Sequence, residues 1–417
     1  MTLHDLLTYA LYNNEFYNKL YASVGITTSS ISNISLENLP IVTKKMLQSA
    51  GDTAISKPYF SFPDSNNIYL LRSSASTGEY LKIYWDKKDR TASLFASWIW
   101  RSKNFHISPT DKFINFYASR YFGTRFCENI PDISSMNPHY TLLSKLDLSP
   151  EKIGKYIDYI QSFLPRWLHI QPSIFLLIWN EMNRRSTAFP DSLCYLEFTG
   201  EYISPDAKNY LSNQCKIPIA NNYGCNEVNY IACECNCGNM HVLTSNVLVE
   251  VLSQNSPALD EEKGDIVITG LYNHAMPIIR YKTGDVGSLI KNHACLCGCK
   301  SPILNLSPVR KSYHITTFRG PLSSTELTYI IERVNERMNN CILQYQAHQT
   351  SISTMEMHLV LKPQYSSWKQ AITNCFYESI PSDVLRSFHW KFYFPKEIYP
   401  HKITGKVSYF VNDLPSQ

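Results

Sequence analysis

Residues 264–285 read GDIVITGLYNHAMPIIRYKTGD, and two runs within them have strand character, DIVITGL (265–271) and MPIIRY (276–281). β-Branched and apolar residues crowd both runs. The second leads into Thr283-Gly284-Asp285, which reads as a strand ending in a turn with a carboxylate at its tip. Asp285 in that place can accept from both hydroxyls of a ribose. Taken alone, it is equally an aspartate that bonds its own backbone in a tight turn.

Working outward, CYLEF (194–198) and NVLVEVL (246–252) are further short β-rich runs. Pro150 opens a helix with Ile153, Tyr156, Ile157, Ile160 and Leu164 at helical spacing. Strands that alternate with helices predict an α/β body whose sheets are covered by helices. Beyond about residue 312 the pattern changes. Ser323 or Ser324 can cap a helix carrying Leu327, Ile330, Ile331, Val334 and Met338 on one face. Strand-like CILQYQ (341–346), MEMHLVL (355–361) and HWKFYF (389–394), with a helix over 368–380, complete a small α+β unit. The expected organisation is a large multi-sheet α/β N-terminal domain, 1–311, and a small C-terminal domain, 312–417.

At 417 residues the chain exceeds one ordinary domain. Its 39 basic and 35 acidic residues leave a net charge of only +4, too even for a nucleic-acid or membrane surface. Neither a signal-peptide pattern at the N-terminus nor an apolar run of membrane-spanning length is present. A soluble, cytoplasmic protein acting on small molecules as a monomer or homodimer is expected. Cys233, Cys235, Cys237 and Cys295, Cys297, Cys299 form two tight clusters. Alternate cysteines bond one another poorly, so in a reducing compartment metal is the better reading than disulfide.

Three further motifs carry chemistry. Arg72-Ser-Ser-Ala-Ser-Thr-Gly78 lies between strand-like IYLL (68–71) and LKIYW (81–85), a hydroxyl-rich loop that can offer donors to phosphate oxygens. Asn222-Tyr-Gly-Cys-Asn-Glu227 ends in a carboxylate able to hold Mg²⁺, which prefers one or two carboxylates plus substrate phosphates. Pro400-His-Lys-Ile-Thr-Gly-Lys406 presents a lysine after a flexible Thr-Gly step, able to neutralise a carboxylate and a phosphate together. Each alone is an ordinary turn. Their order and separations are not.

Together they resemble the adenylate-forming superfamily of acyl-CoA synthetases, luciferases and peptide-synthetase adenylation domains. The likeness is greatest to the phenylacetate–CoA ligase branch, with its coenzyme F390 synthetase-like and capsule-biosynthesis-like relatives. It covers nearly the whole chain through LENLPIVTKKML (36–47), RSSASTGEYLKIYWD (72–86), FTGE (198–201), NNYGCNE (221–227), residues 264–285 and PHKITGK (400–406). The resemblance implies that Ser73, Ser74, Ser76, Thr77 and Gly78 cover the ATP phosphates. Thr199, Gly200 and Glu201 would lie near the adenine, and Tyr223 and Gly224 between adenine and acyl group. Glu227 would bind Mg²⁺ and Asp285 the ribose, with Arg310 near the hinge. Lys406 would serve adenylation from a C-terminal domain that rotates between half-reactions. Ala75 replaces the loop's usual glycine, Asn226 the usual threonine, and Val309 and Lys311 the usual neighbours of the arginine.

The same branch has zinc-bearing members with Cys-x5-His followed by Cys-x-Cys-Gly, which maps to Cys235, His241, Cys295 and Cys297, a closed set suited to structural Zn²⁺. Cys233, Cys237 and Cys299 are then supernumerary. The implied reaction is acyl-AMP formation from a carboxylic acid and ATP, then transfer to coenzyme A. An amine acceptor is the alternative, and a non-enzymatic zinc-binding interaction protein a remote one. Tyr117–Tyr121, Trp179 and 198–224 are the expected acyl pocket, whose aromatic content favours a flat or apolar acid. His106, His139, His169 and His274 read as packed or surface histidines.

Overall fold

The structure is a computed structural model that describes residues 2–27, 29–31, 34–60, 67–73, 80–117, 121–122, 125–126, 131–310, 314–381, 383–386, 388–401 and 406–414. The chain divides into two compact units, each built from discontinuous segments. One comprises residues 1–111, 119–131 and 220–307. The other comprises 112–118, 132–219 and 308–417.

The first unit opens with helices Leu3–Asn13 and Glu15–Ser23, capped by Thr2 and Asn14. Strands Ile68–Arg72 and Lys82–Asp86 form the antiparallel hairpin expected around the Ser/Thr-rich loop, in register from Ile68 opposite Asp86 to Arg72 opposite Lys82. Asp86 then caps the 19-residue helix Lys87–Phe105 through the amides of Lys88 and Asp89. Strands Val247–Ser253, Gly264–Gly270 and Tyr281–Ile290 pair antiparallel in sequence order, and Ile219–Cys225, Asn229–Glu234 and Met240–Val242 do the same. Every residue of Gly264–Gly270 is buried, as its apolar run requires.

One strand expectation fails. Residues 276–280 are not a strand, and the strand begins only at Tyr281. Arg280 adopts φ +51°, outside the extended region, and its guanidinium is buried. It pairs with Glu250 at 2.9 Å and donates to the carbonyls of Glu37 and Leu39. The ion pair holds a backbone that a β-rich run would otherwise extend. For the same reason Thr283-Gly284-Asp285 does not follow a strand. It lies inside Tyr281–Ile290, where Gly284 at φ +84° takes the conformation that a side chain resists and the register slips between Asp265 and Val267.

The second unit holds a mostly parallel sheet. Phe113–Tyr117 pairs in parallel with Tyr140–Ser144 on one side and Trp167–Ile170 on the other, Trp167–Ile170 pairs in parallel with Tyr195–Thr199, and Ile133–Asn137 adds an antiparallel edge. Parallel neighbours need crossovers. Helices Pro150–Phe163 and Pro172–Arg184 supply them, each with proline in its first turn, and their Tyr156, Ile157, Ile160, Phe175 and Ile178 fill the core. The C-terminal part of this unit is the α+β element expected beyond residue 312. Its four-stranded sheet runs His389–Tyr393, Thr354–Leu361, Ile342–Ser351, Phe410–Asn412, with helices Thr325–Arg337 and Lys369–Ser379 burying Leu327, Ile330, Ile331, Val334, Ile372 and Phe376. Among the described residues, no helix is long and apolar enough to cross a membrane.

Candidate active site and metal centre

In an open parallel sheet the carboxyl ends of the strands are where ligands are held. Three polar side chains, of Lys145, Gln171 and Glu201, emerge there in the second unit. Lys145 follows Tyr140–Ser144, Gln171 follows Trp167–Ile170, and Gly200-Glu201 follow Tyr195–Thr199. Lys406 joins them. A Cβ built on Gly200 would lie 3.5 Å from Lys406 Cε, 3.8 Å from Lys406 Nζ and 3.8 Å from Gln171 Nε2. Gly200 also takes φ +75°, so the lysine passes over a backbone with no side chain in its way.

Glu201 is the hub of this locus. Its carboxylate accepts from Ser173 N–H at 3.1 Å, Ser173 Oγ at 2.8 Å and Val407 N–H at 2.8 Å. Burial pushes the carboxyl's pKa up, opposed by those three donors and by Lys145. Lys145 is 6% exposed. Burial pulls its ammonium down to about 7, the charge of Lys406 pulls the same way, and Glu201 resists. Gln171 Oε1 is buried and accepts no hydrogen bond among the described residues. Sequence patterns single out neither Lys145 nor Ser173. The only signal is an isolated lysine near the end of the run 140–146, and a serine after a helix-starting proline. Trp179, expected near the acyl group, stacks with Phe175 and Phe189.

In the first unit, Tyr223 donates its hydroxyl to Asp285 Oδ2 at 2.8 Å. Burial, then the Asp285 charge, pushes the phenol far above its ordinary range, so it stays a donor. Gly224 is required sterically, because a Cβ there would meet the Asn229 carbonyl oxygen at 2.3 Å. Glu227 is 5% exposed and accepts from Tyr281 OH at 3.1 Å. Among the described residues it forms no ion pair. A buried carboxylate without a cationic partner is suited to a cation, and its donor chemistry fits Mg²⁺. Asn226, where the resembled family has threonine, donates to the Arg72 carbonyl at 2.7 Å, while Trp85 Nε1 donates to the Asn226 carbonyl at 2.8 Å. The turn before Glu227 is thereby tied to the hairpin. Ser73 closes the base of that hairpin through Ser73 N–H to the Leu81 carbonyl and Leu81 N–H to Ser73 Oγ, both 2.9 Å. Ser74, Ser76, Thr77 and Gly78 lie outside the described residues. Arg310 ends the strand Ile303–Arg310.

Of the clustered cysteines, Cys235, Cys295 and Cys297 converge with His241, their donor atoms all within 4.8 Å of one another. Cys235 Sγ and Cys295 Sγ are 3.8 Å apart, and Cys297 Sγ lies 3.5 Å from His241 Nε2. Tetrahedral Zn²⁺, with sulfur at about 2.3 Å and nitrogen at about 2.0–2.1 Å, would separate such pairs by about 3.8 and 3.5 Å. The surroundings orient the donors as well. His241 Nδ1 faces the Ser301 carbonyl at 3.0 Å, directing Nε2 inward, and the Asn239 amide donates to Cys295 Sγ at 3.3 Å. Gly238 and Gly298, at φ +84° and +76°, allow the two knuckle turns in which Gly238 N–H bonds the Cys235 carbonyl and Gly298 N–H that of Cys295. Burial raises the Cys297 thiol to about 12. It works against Cys295 too, but there the Asn239 amide, the Cys297 N–H and His241 outweigh it and hold that thiol at about 5.

His169 and His274 have partners that the sequence did not reveal: His169 Nδ1 meets Asn115 at 2.8 Å, and His274 meets Asp89 at 2.8 Å. His106 is the left-handed cap of the helix Lys87–Phe105.

No protein-family model matches the chain, and no curated protein sequence is detectably similar to it. Solved structures do match. A 2-hydroxyisobutyryl-CoA ligase in the postadenylation state, in complex with R3-HIB-AMP, superposes with a TM-score of 0.71 at 13% identity, over 98% of this chain and 88% of that one. The same ligase with 2-HIB-AMP gives 0.70 at 14% identity, over the same shares. An anthranilate CoA ligase, AuaEII, in complex with anthranoyl-AMP gives 0.52 at 14% identity, over 81% of this chain and 65% of that one. The chain therefore has the fold of adenylate-forming CoA ligases.

Proposed function

We propose that this protein is an ATP-dependent carboxylic-acid ligase that forms an acyl-AMP intermediate and transfers the acyl group to coenzyme A. Fold alone does not carry an activity, so the argument rests on the site. The observation that carries it is Lys406, which reaches the end of the strand Tyr195–Thr199 and lies over Gly200. A mobile cation at the carboxyl end of a parallel strand is what adenylation asks for. The substrate carboxylate attacks the α-phosphorus of ATP, pyrophosphate leaves, and two anions must approach each other. Lys406 offsets that repulsion.

In this reading Asp285, oriented by Tyr223, accepts from the ribose hydroxyls, and the loop after Ser73 covers the phosphates. Glu227 would hold Mg²⁺, which when bound neutralises phosphate charge. Residues 312–417 act as the mobile domain that brings Lys406 in for the first half-reaction and withdraws it for the second, with Arg310 near the hinge. The coenzyme A thiol then displaces AMP. Zn²⁺ held by Cys235, His241, Cys295 and Cys297 is structural, because four protein donors leave no open position.

ATP–pyrophosphate exchange with a panel of aromatic and short aliphatic acids tests the reading. Acid-dependent exchange supports it, and none with any acid contradicts it. Product analysis with coenzyme A against simple amines then separates thioester from amide formation.

A further inference from the structure

The segment that carries Lys406 is held just after the lysine by consecutive residues of one loop. Val407 N–H donates to Glu201 Oε1 at 2.8 Å, and the Tyr409 hydroxyl donates to the Tyr202 carbonyl. The Tyr409 ring sits edge-on to Tyr202, centroids 6.3 Å apart, and packs on Tyr345 at 4.8 Å. Glu201 in turn is fixed by both donors of Ser173, at the start of the helix Pro172–Arg184. Residues 201 and 407 are far apart in sequence, yet the carboxylate bonds the amide immediately after Lys406. A residue one peptide from the lysine is the shortest lever available for setting where its ammonium sits.

We propose that Glu201 is the positioning residue of the adenylation half-reaction, a carboxylate clasp that docks the Lys406 segment by accepting from Val407 N–H. The inference rests on the ligase reading above for its catalytic consequence, though not for the contact. Glu201 touches neither of the reacting groups. Its carboxylate organises three donors from two separate segments, and Lys145, buried in the same locus, balances its charge. Oε1 accepts from both Val407 N–H and Ser173 Oγ while Oε2 accepts from Ser173 N–H, so the clasp on Val407 asks for one acceptor oxygen, which glutamine also offers. An alanine leaves both amide donors without acceptors.

Two readouts on the full chain test this. Hydrogen exchange followed by mass spectrometry reports Val407 directly. Glu201→Ala is expected to speed exchange in peptides covering Val407 by about tenfold or more, while Glu201→Gln, which keeps an acceptor oxygen, stays close to wild type. In parallel, Glu201→Ala is expected to lower ATP–pyrophosphate exchange by about 10- to 100-fold, leave transfer from preformed acyl-adenylate to coenzyme A near wild type, and be rescued by Gln. Unchanged Val407 exchange in Glu201→Ala overturns the clasp. Equal loss in both half-reactions reduces Glu201 to a folding residue and overturns its positioning role. A wild type that exchanges no pyrophosphate with any acid sinks the ligase reading instead, and the hydrogen-exchange result still decides the clasp.

Discussion

Tyr223 and Asp285 meet through a 2.8 Å hydrogen bond from the phenol to Oδ2, between strand Ile219–Cys225 and the middle of strand Tyr281–Ile290. The donor fixes one carboxylate oxygen. A ribose diol would use the carboxylate that this donor orients. Tyr223→Phe removes the orienting donor while keeping the ring. We expect the KM for ATP to rise about tenfold with a much smaller change in kcat, since a hydrogen bond to a charged group is lost in binding. A steady-state titration of ATP checks this, and an unchanged KM would detach Asp285 from nucleotide binding.

How much of this was legible in the sequence depends on the range of the interaction. The hairpin Ile68–Arg72/Lys82–Asp86 and the helix Pro150–Phe163 follow from local pattern, and both appear as expected. The run 276–281 departs from its β-rich pattern, because its strand propensity yields to the buried Arg280–Glu250 pair, whose partner lies thirty positions away. The set Cys235, His241, Cys295 and Cys297 follows from the resemblance, through its Cys-x5-His and Cys-x-Cys-Gly pattern, and the structure brings those four donors together. The contact between Val407 and Glu201 crosses some two hundred residues. No periodicity encodes it.

Metal content follows from the donor set. Protein purified without added metal is expected to carry close to one equivalent of zinc by elemental analysis. Cys295→Ser should lose it and melt roughly 2 °C lower, as a loss of about 2 kcal/mol would give in a chain of this size. Zinc-free protein with wild-type melting would remove the site. A variant with normal melting but no activity would make the ion catalytic.

Glu227 is a buried carboxylate whose described partners are neutral. Glu227→Gln keeps its shape and its Tyr281 contact while losing the charge that would hold a cation. The magnesium concentration for half-maximal pyrophosphate exchange should rise by on the order of tenfold or more. A superimposable magnesium titration would place the metal carboxylate elsewhere.

Lys145 makes a pH-dependent contribution of definite sign. Burial, with Lys406 adding to it, depresses its folded pKa from the ordinary lysine value to about 7, Glu201 opposing. Between that pH and the unfolded value near 10.5 the unfolded chain binds the extra proton, so stability owed to this group rises with pH across the window and is flat below it. The slope is at most roughly 1.4 kcal/mol per pH unit. Denaturant unfolding from pH 6 to 10 should show wild type gaining stability over Lys145→Met above neutrality. Parallel curves would mean that Lys145 is solvated.

Measuring the two half-reactions separately in Lys406→Ala decides what this lysine does. If Lys406 neutralises the meeting of carboxylate and phosphate, pyrophosphate exchange should fall by roughly a hundred- to thousand-fold, the loss typical of one removed contact of this kind. Transfer from preformed acyl-adenylate to coenzyme A should survive nearly intact, because the lysine has then been withdrawn. Equal loss in both half-reactions would contradict the rotation, and undiminished exchange would leave Pro400 to Lys406 as no more than a turn near the C-terminus.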